Sequence, residues 1–280
     1  MIMRSSLMRK GVDLSVKLLS TVSALIGIVF LTWILWEVLK RGVTALNLDF
    51  FTQLPTPPGM AGGGVANALL GTVVITFLAT AIGVPVGVLS GVYLSEFGRS
   101  SVWGRSIRFT LNVIMGVPSI IVGLFVYTIL VLPSGHFSGW AGSVSLAIIM
   151  LPVVARTTED ILALVPDSLR ESALAVGAPR WKMTLGIVFK AAKSGMITGI
   201  LLAVARVSGE TAPLLFTAMN SPYWPRSFNE PTANLTVTIF NYAMSPFSDW
   251  QEIALGASLL IMIIVLSINI LTRVIAREQT

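Results

Sequence analysis

Long apolar stretches alternate with short polar ones along this chain of 280 residues. Residues 18–36 form a run of 19 without a charged side chain, and residues 253–272 form a run of 20. A transmembrane helix needs about 20 predominantly apolar residues to cross the hydrocarbon core of a bilayer. The two runs therefore predict the first and last spans of a membrane protein.

The longest uncharged stretch is long enough for two spans. Between Arg108 and Arg156 lie 47 residues without Asp, Glu, Lys or Arg, and the turn-forming segment 132–140 divides them. Further apolar stretches at 65–94 and 194–217 add one span each. The pattern thus predicts an all-α integral membrane protein with six transmembrane helices. They are expected near 18–38, 66–94, 108–131, 141–164, 194–218 and 252–272.

The composition agrees with a membrane protein. Apolar residues make up 54% of the chain, charged residues 11%, and the mean hydropathy is +0.84. These values exclude an ordinary soluble domain. The net charge of +6 does not require nucleic acid, because the basic residues are spread over loop ends, where anionic lipid headgroups would meet them. We expect membrane lipid, and no nucleic acid, as a partner.

The basic residues also predict an orientation. With a cytoplasmic N-terminus, 15 of the 19 Lys and Arg residues fall in inner segments, three fall in outer segments, and Arg206 lies within a span. Cytoplasmic loops of membrane proteins carry the excess of Lys and Arg. We therefore predict a cytoplasmic N-terminal segment at 1–17, a single membrane domain at 18–280, and both termini in the cytoplasm. The polar stretch 166–193 faces the same side.

This polar stretch has the features of a helix start. Ser168 and Glu171 are three residues apart, which is the spacing of a capping box between a hydroxyl and a carboxylate. A solvated loop is the alternative interpretation, but a loop rarely combines a capping box with an apolar stripe.

An apolar stripe and a stop follow the predicted start. Leu169, Ala173 and Val176 would share one helical face, Gly177 can adopt the left-handed conformation that ends a helix, and Pro179 suits the first turn of the next helix. The sequence therefore predicts a helix, a glycine turn and a second helix, which dock onto another protein in the cytoplasm.

The chain lacks the residues of several chemistries. It has no cysteine and one histidine, so we expect no metal site. No GxxxxGK[ST] phosphate loop occurs, and no arrangement of nucleophile, base and acid is evident. We expect a non-enzymatic chain that binds no cofactor, with any ATP and Mg²⁺ used by a partner.

Arg206 and Glu210 are two charged residues within the predicted fifth span, four residues apart on one helical face. An arginine at the centre of a membrane helix costs about 2.5–3.5 kcal/mol on insertion scales, so it persists where it is paired, hydrated or useful. One interpretation is that the two side chains neutralise each other. The other is that the planar guanidinium faces a polar pathway and binds an oxyanion such as phosphate, while Glu210 orients it and weakens its hold.

Small residues and prolines recur within the predicted spans. Gly83, Gly87 and Gly91 are four residues apart, a spacing that lets two helix backbones approach closely. Prolines within predicted spans can kink them, and neighbouring helices can satisfy the carbonyls that they release. These prolines are Pro85, Pro118, Pro152 and Pro213.

Five motifs carry a resemblance to a known family. The segment ESALAVG (171–177) resembles the EAA loop of ATP-binding-cassette importer permeases, although Ser172 replaces an alanine and Phe189-Lys190 replaces the usual Leu-Pro. The wider set is similar to the PstA-type permeases of bacterial phosphate importers. It comprises GVPSIIVGLFVYT (116–128), LPVVARTTEDILALVP (151–166), ARVSGETAPLLFTA (205–218) and NLTVTIFNYAMSP (234–246).

The resemblance implies a type I importer permease with the MetI-like fold, in the bacterial inner membrane. It implies a homologous second permease subunit, a cytoplasmic ATPase dimer and an external phosphate-binding protein as partners, and inorganic phosphate as cargo. Glu171, Ala173 and Gly177 match the positions that couple such permeases to the ATPase. Arg206 and Glu210 match the charges of the family's fifth span and are assigned to the phosphate pathway.

Three other functions remain open at the level of sequence. One is an importer permease for a different oxyanion or solute. The second is a secondary transporter in which Glu210 carries a proton, and the third is a membrane scaffold or phosphate sensor that transports nothing. The predicted docking helix argues against the second, because a proton-coupled carrier needs no ATPase.

Overall fold

In the computed structural model, residues 6–60 and 62–277 are described, and their regular elements are all helical. Residues 1–5 of the predicted cytoplasmic segment 1–17, and residues 278–280 of the predicted membrane domain, lie outside the described residues. The helices are α1 (Ser6–Ala45), α2 (Leu48–Thr52), α3 (Ala66–Val92), α4 (Val102–Gly116), α5 (Ser119–Val126), α6 (Leu132–Ser134), α7 (Gly139–Ala163), α8 (Asp167–Ala175), α9 (Arg180–Met183), α10 (Phe189–Val207), α11 (Ala212–Leu215), α12 (Leu235–Ala243) and α13 (Ser248–Arg277).

Three π-helical turns extend these helices. They are Tyr93–Phe97 after α3, Tyr127–Val131 after α5, and Thr184–Val188 between α9 and α10.

Among the described residues, five helical segments are long and apolar enough to cross a membrane, and a sixth span results if α4 and the helical segment Ser119–Ser134 are taken together. The five are Lys10–Ala45, Ala66–Phe97, Gly139–Ala163, Arg180–Val207 and Ser248–Val274. The first of them begins within the predicted segment 1–17, so residues 6–17 continue the helix of the first span and do not form a separate element. The all-α membrane architecture agrees with the prediction.

The predicted third span, 108–131, is not one continuous helix. Its two halves are bent by 103° at Val117 and Pro118. Pro118 has no N–H to donate and disfavours helical backbone at the residue before it. Val117 accordingly has an extended conformation (φ −77°, ψ 129°), which ends α4, and α5 starts again at Ser119. Sequence reasoning located the proline in a span but did not predict that the span breaks there.

The predicted fifth span, 194–218, is also displaced. The helical segment starts at Arg180, within the polar stretch, and α10 ends at Val207. The remaining residues form a turn and the short helix α11, in which Pro213 is in the first turn. A proline suits that position because the first N–H groups of a helix have no intrahelical partner.

The packing of α3 against α7 forms the centre of the bundle. The glycine spacing predicted this close approach: a Cβ on Gly87 would lie 2.8 Å from Cβ of Val154, and one on Gly91 would lie 2.5 Å from the carbonyl oxygen of Ala155. Without Cβ atoms, the two backbones come close enough for the surrounding apolar side chains to interlock. The core continues from α3 and α7 into α10, α11 and α12.

Helix α1 contacts the bundle mainly near its C-terminal end. Gly42 lies against Leu255 and Leu259 of α13, whereas the apolar side chains between Leu14 and Trp36 are exposed. An apolar helix surface that its own chain does not cover fits contact with lipid or with another subunit.

Candidate functional site

Arg206 and Glu210 are on different backbone elements. Arg206 lies in the last turn of α10, whereas Glu210 lies beyond the helix end, so the prediction that both share one helical face is wrong. The N–H groups of Gly209 and Glu210 donate to the carbonyls of Arg206 and Val207, three residues back, and these bonds tighten and close the helix. The carbonyl of Glu210 then accepts a hydrogen bond of 2.8 Å from the Thr236 hydroxyl.

The two side chains nevertheless line one cavity of about 370 Å³. The break in the third span forms one wall of it, and α7 contributes Ile149 and Val153. Arg206 is exposed and Glu210 is half-buried. The other lining residues are Ile114, Met115, Gly116, Val117, Pro118, Ser119 and Val122. The structure therefore brings the predicted pathway residues together with a helix break that the sequence did not connect to them.

Arg206 and Glu210 form no direct ion pair with each other in the described part of the chain. Among the described residues, no carboxylate oxygen lies within 4.0 Å of a guanidinium nitrogen of Arg206. A guanidinium presents five N–H donors in a planar fork that matches the oxygens of a phosphate or carboxylate group. The cavity thus contains a guanidinium, whose donors suit an oxyanion, and a carboxylate.

The polar stretch 166–193 folds as a helix, a turn and a second helix, but its start differs from the prediction. Pro166 occupies the N-cap position with φ −58° and ψ 138°, and no side chain of the described residues caps the first turn. Ser168 is already inside the helix, so its hydroxyl cannot form the predicted capping box with Glu171. Pro166 starts the helix in place of a capping side chain, because its ring fixes φ close to the value that a helix needs.

The predicted stop at Gly177 is confirmed. Gly177 has φ +81°, and its N–H donates to the carbonyl of Leu174 at 2.9 Å. The N–H of Ala178 donates to the carbonyl of Ala173 at 3.2 Å. These two bonds form a Schellman motif, in which a left-handed residue satisfies the last carbonyls of a helix. Pro179 follows as the N-cap of α9.

The face of α8 that packs inward differs from the predicted stripe. Ala173 is buried against Leu162 and Met183, whereas Leu169 and Val176 point outward. Glu171 is exposed as well. The second inward-facing residue is Arg170, which is a charged side chain.

Arg170 attaches α8 to the rest of the protein. Its guanidinium makes two hydrogen bonds to the Glu96 carboxylate, at 2.8 and 3.2 Å, and others to Asp167 and to the carbonyls of Leu162 and Val165. The side chains of Arg170 and Glu96 are only 9% and 4% exposed. The bond to Glu96 raises the pKa of Arg170 above its ordinary value, although burial alone would lower it. Removing one partner of a buried ion pair typically costs about 3–5 kcal/mol.

The sequence pattern does not indicate that Arg170 is buried and ion-paired. An arginine in a polar stretch is typical of a solvated surface, and its partner Glu96 is 74 residues away along the chain. No local pattern connects the two positions.

Comparisons with known proteins identify the family. The family model described as "Binding-protein-dependent transport system inner membrane component" matches residues 83–279. The chain is 50% identical to the "Phosphate transport system permease protein PstA" of Yersinia pestis, over 93% of this chain and 88% of that protein. It is 49% identical to the protein of the same name from Haemophilus influenzae, over 93% and 92%.

Solved structures resemble the fold. A bacterial ABC transporter involved in the import of alginate contains a chain that matches with a TM-score of 0.66 and 13% identity, over 97% of both chains. The MetNI methionine ABC transporter in an inward-facing conformation matches with a TM-score of 0.62 and 22% identity, over 78% of this chain and 94% of that one. At these identities the likeness concerns the fold, and it agrees with the predicted MetI-like permease architecture.

The family model covers more than half of the chain, and the similarity to the named relatives extends over nearly all of it. The chain therefore belongs to the binding-protein-dependent transport system inner membrane components, and within them to the PstA-type permeases.

Proposed function

We propose that this chain is the membrane-spanning permease subunit of an ATP-driven phosphate importer. The observation that carries the proposal is the cavity in which Arg206 and Glu210 meet the break of the third span. The names of the similar proteins from Yersinia pestis and Haemophilus influenzae support phosphate as the cargo. The chain forms half of a translocation pathway, and a homologous second permease subunit forms the other half.

Phosphate passes through the cavity by way of Arg206. The guanidinium donates two parallel hydrogen bonds to phosphate oxygens, which orients the anion and compensates part of its lost hydration. Glu210 faces the same space, and its negative charge limits how tightly the anion is held, so that the anion can leave. High-affinity selection rests with an external phosphate-binding protein that delivers the cargo.

Helix α8 is the docking site for one subunit of a cytoplasmic ATPase dimer. Ala173 anchors the helix inside the protein, Gly177 sets the turn after it, and Glu171 is exposed beside the outward-facing apolar side chains Leu169 and Val176. Exposed apolar groups next to a charge are typical of a protein interface. ATP and Mg²⁺ are bound by the ATPase, and this chain binds no cofactor.

The mechanism is alternating access. Closure of the ATPase dimer on ATP moves α8 and opens the pathway to the outside, and hydrolysis reverses the movement. This requires both chain termini and α8 on the cytoplasmic side of the inner membrane. The excess of Lys and Arg in the segments on that side supports the orientation.

Reconstitution tests the proposal. The chain is co-expressed with a candidate second permease and ATPase from the same genome, and the purified complex is placed in liposomes with a candidate external binding protein. We expect radiolabelled phosphate to accumulate only with ATP, and phosphate with its binding protein to stimulate ATP hydrolysis. Accumulation of another oxyanion in place of phosphate, or uptake driven by a proton gradient without ATP, would overturn the proposal.

A further inference from the structure

Two arginines bind the same end of the α3–α7 pair, and each comes from a different helix. Arg170 of α8 binds the Glu96 carboxylate, in the π-helical extension of α3, and two carbonyls at the end of α7, those of Leu162 and Val165. Its side chain is almost fully buried.

Arg108 of α4 makes the reciprocal set of contacts. Its Nε donates to the Glu159 carboxylate of α7 at 2.6 Å. Its two terminal nitrogens donate to the carbonyls of Leu94 at 2.8 Å and Gly98 at 3.4 Å, both at the end of α3. The side chains of Arg108 and Glu159 are 24% and 11% exposed.

Each arginine therefore contacts both α3 and α7, with a carboxylate from one helix and carbonyls from the other. For Arg170, α3 supplies the carboxylate and α7 the carbonyls, and for Arg108 the roles of α3 and α7 are exchanged. A guanidinium has five donors in a fixed plane, so contacts to two helices at once hold both in a defined geometry. We call Arg170 and Arg108 the arginine pair. Glu96 and Glu159 are their carboxylate partners.

The helices that the arginine pair joins are closely packed. Gly87 and Gly91 leave no room for a Cβ between α3 and α7, so the two helices are expected to move as one body. Helix α8 and helix α4 are thus attached to the same rigid unit.

Helix α4 leads from Arg108 directly to the cavity. It ends at Gly116, and its last residues, with Val117, Pro118 and Ser119, line the cavity together with Arg206 and Glu210. A shift of α4 relative to α10 would change the width of this cavity.

We propose that Arg170 and Arg108 are positioning residues that transmit movement of α8 to the cavity wall. Movement of α8 displaces the α3–α7 unit through Arg170 and Glu96, and this unit displaces α4 through Glu159 and Arg108. The inference rests on the proposed function, because an ATPase must move α8.

Thiol accessibility tests the transmission without measuring phosphate. The chain has no cysteine, so Met115→Cys introduces the only thiol in this subunit, on the cavity wall. Its rate of alkylation by a charged maleimide is read from the mass of this subunit in the assembled complex, with and without ATP and vanadate. The reference chain carries Met115→Cys alone, and we expect its two rates to differ at least about threefold. When Arg170→Gln or Arg108→Gln is added, we expect the ratio of the two rates to fall to about one.

Two further variants separate transmission from folding and from general charge effects. Arg170→Lys keeps a positive charge that can still donate to Glu96 and to the carbonyls of α8's neighbours, and we expect it to recover at least half of the change lost in Arg170→Gln. Arg105→Gln is the matched control, because Arg105 belongs to α4 like Arg108 but is exposed, and its guanidinium donates to the Ser100 carbonyl outside α3 and α7. We expect it to keep the reference ratio.

The outcomes are distinct from those of the transport assay. If Arg170→Gln keeps the ratio of alkylation rates of the reference chain, in a complex that retains the ATPase, the inference is overturned. It is also overturned if the alkylation rate of the reference chain does not change with nucleotide. A nucleotide response that depends on the arginine pair, in a complex that does not import phosphate, would leave the inference standing and overturn only the proposed cargo.

Discussion

Arg206 and Glu210 line the same cavity, although one belongs to the last turn of α10 and the other to the irregular backbone beyond it. The end of the helix at Val207 frees Glu210 from the helical face and lets α12 hold its carbonyl through Thr236. The cation and the anion in the cavity therefore come from two different backbone elements, so each side chain can be replaced separately.

Replacement of Arg206 tests the cation. We expect Arg206→Gln to assemble normally but to lower ATP-dependent phosphate uptake at least tenfold, and up to a complete loss. A hydrogen bond to a charged group contributes about 1.5–3 kcal/mol, and about 1.4 kcal/mol corresponds to a factor of ten. Uptake of radiolabelled phosphate into proteoliposomes measures the effect. Arg226→Gln is the control, because it removes the same charge from an exposed residue outside this cavity. Normal phosphate uptake by Arg206→Gln would show that Arg206 is not part of the pathway.

Replacement of Glu210 tests the opposing charge. We expect Glu210→Gln to bind phosphate more tightly, by roughly fivefold or more, and to turn over more slowly, because a negative charge in the same cavity no longer repels the anion. Equilibrium dialysis of the complex without its binding protein measures the affinity, and uptake at saturating phosphate measures turnover. Weaker binding in this variant would mean that Glu210 attracts the cargo through its own hydrogen bonds.

The turn after α8 can be strained without a steric clash. A side chain on Gly177 would meet no atom of the described residues within 4 Å, but φ is +81°, and a β-branched residue strongly disfavours this region. We expect Gly177→Ile to reduce ATPase stimulation several-fold or to dissociate the ATPase, as measured by co-purification and phosphate-stimulated hydrolysis.

Gly186 is the matched control for this turn. It has equally open surroundings in the same polar stretch, without a positive φ. We expect Gly186→Ile to keep most of the stimulation, and Gly177→Asn to be milder than Gly177→Ile because asparagine tolerates left-handed backbone. Equal damage from Ile at both positions would attribute the effect to bulk at the interface, and full activity of Gly177→Ile would contradict the docking role.

The glycine seam between α3 and α7 predicts a stability effect. A side chain on Gly87 would meet Val154 and the carbonyl oxygen of Leu151 at 2.8 and 3.0 Å. Overpacking of this kind costs about 1–3 kcal/mol, so we expect Gly87→Leu to lower the unfolding temperature of the detergent-solubilised complex. Gly27→Leu is the control, because a side chain at Gly27 of α1 meets nothing within 4 Å in the part of the chain that the structure describes. Equal unfolding temperatures for the two variants would show that α3 and α7 can move apart.

The sequence by itself determined the properties that depend on local pattern. Uncharged runs of about 20 residues predicted a six-span membrane protein, and four-residue glycine spacing predicted the close packing of α3. Gly177 was identified as a helix stop because few other residues adopt its backbone angle. The family likeness, too, could be read from short motifs.

Only the tertiary structure decided how distant residues meet. Arg170 and Glu96 are 74 positions apart, and Arg108 and Glu159 are 51 apart, so no periodicity relates them. The cavity forms because Pro118 breaks one span and the end of α10 releases Glu210 toward the same space. Hydrophobic periodicity specifies which face of a helix is buried, whereas the partners of a buried charge depend on which helix ends the packing brings together.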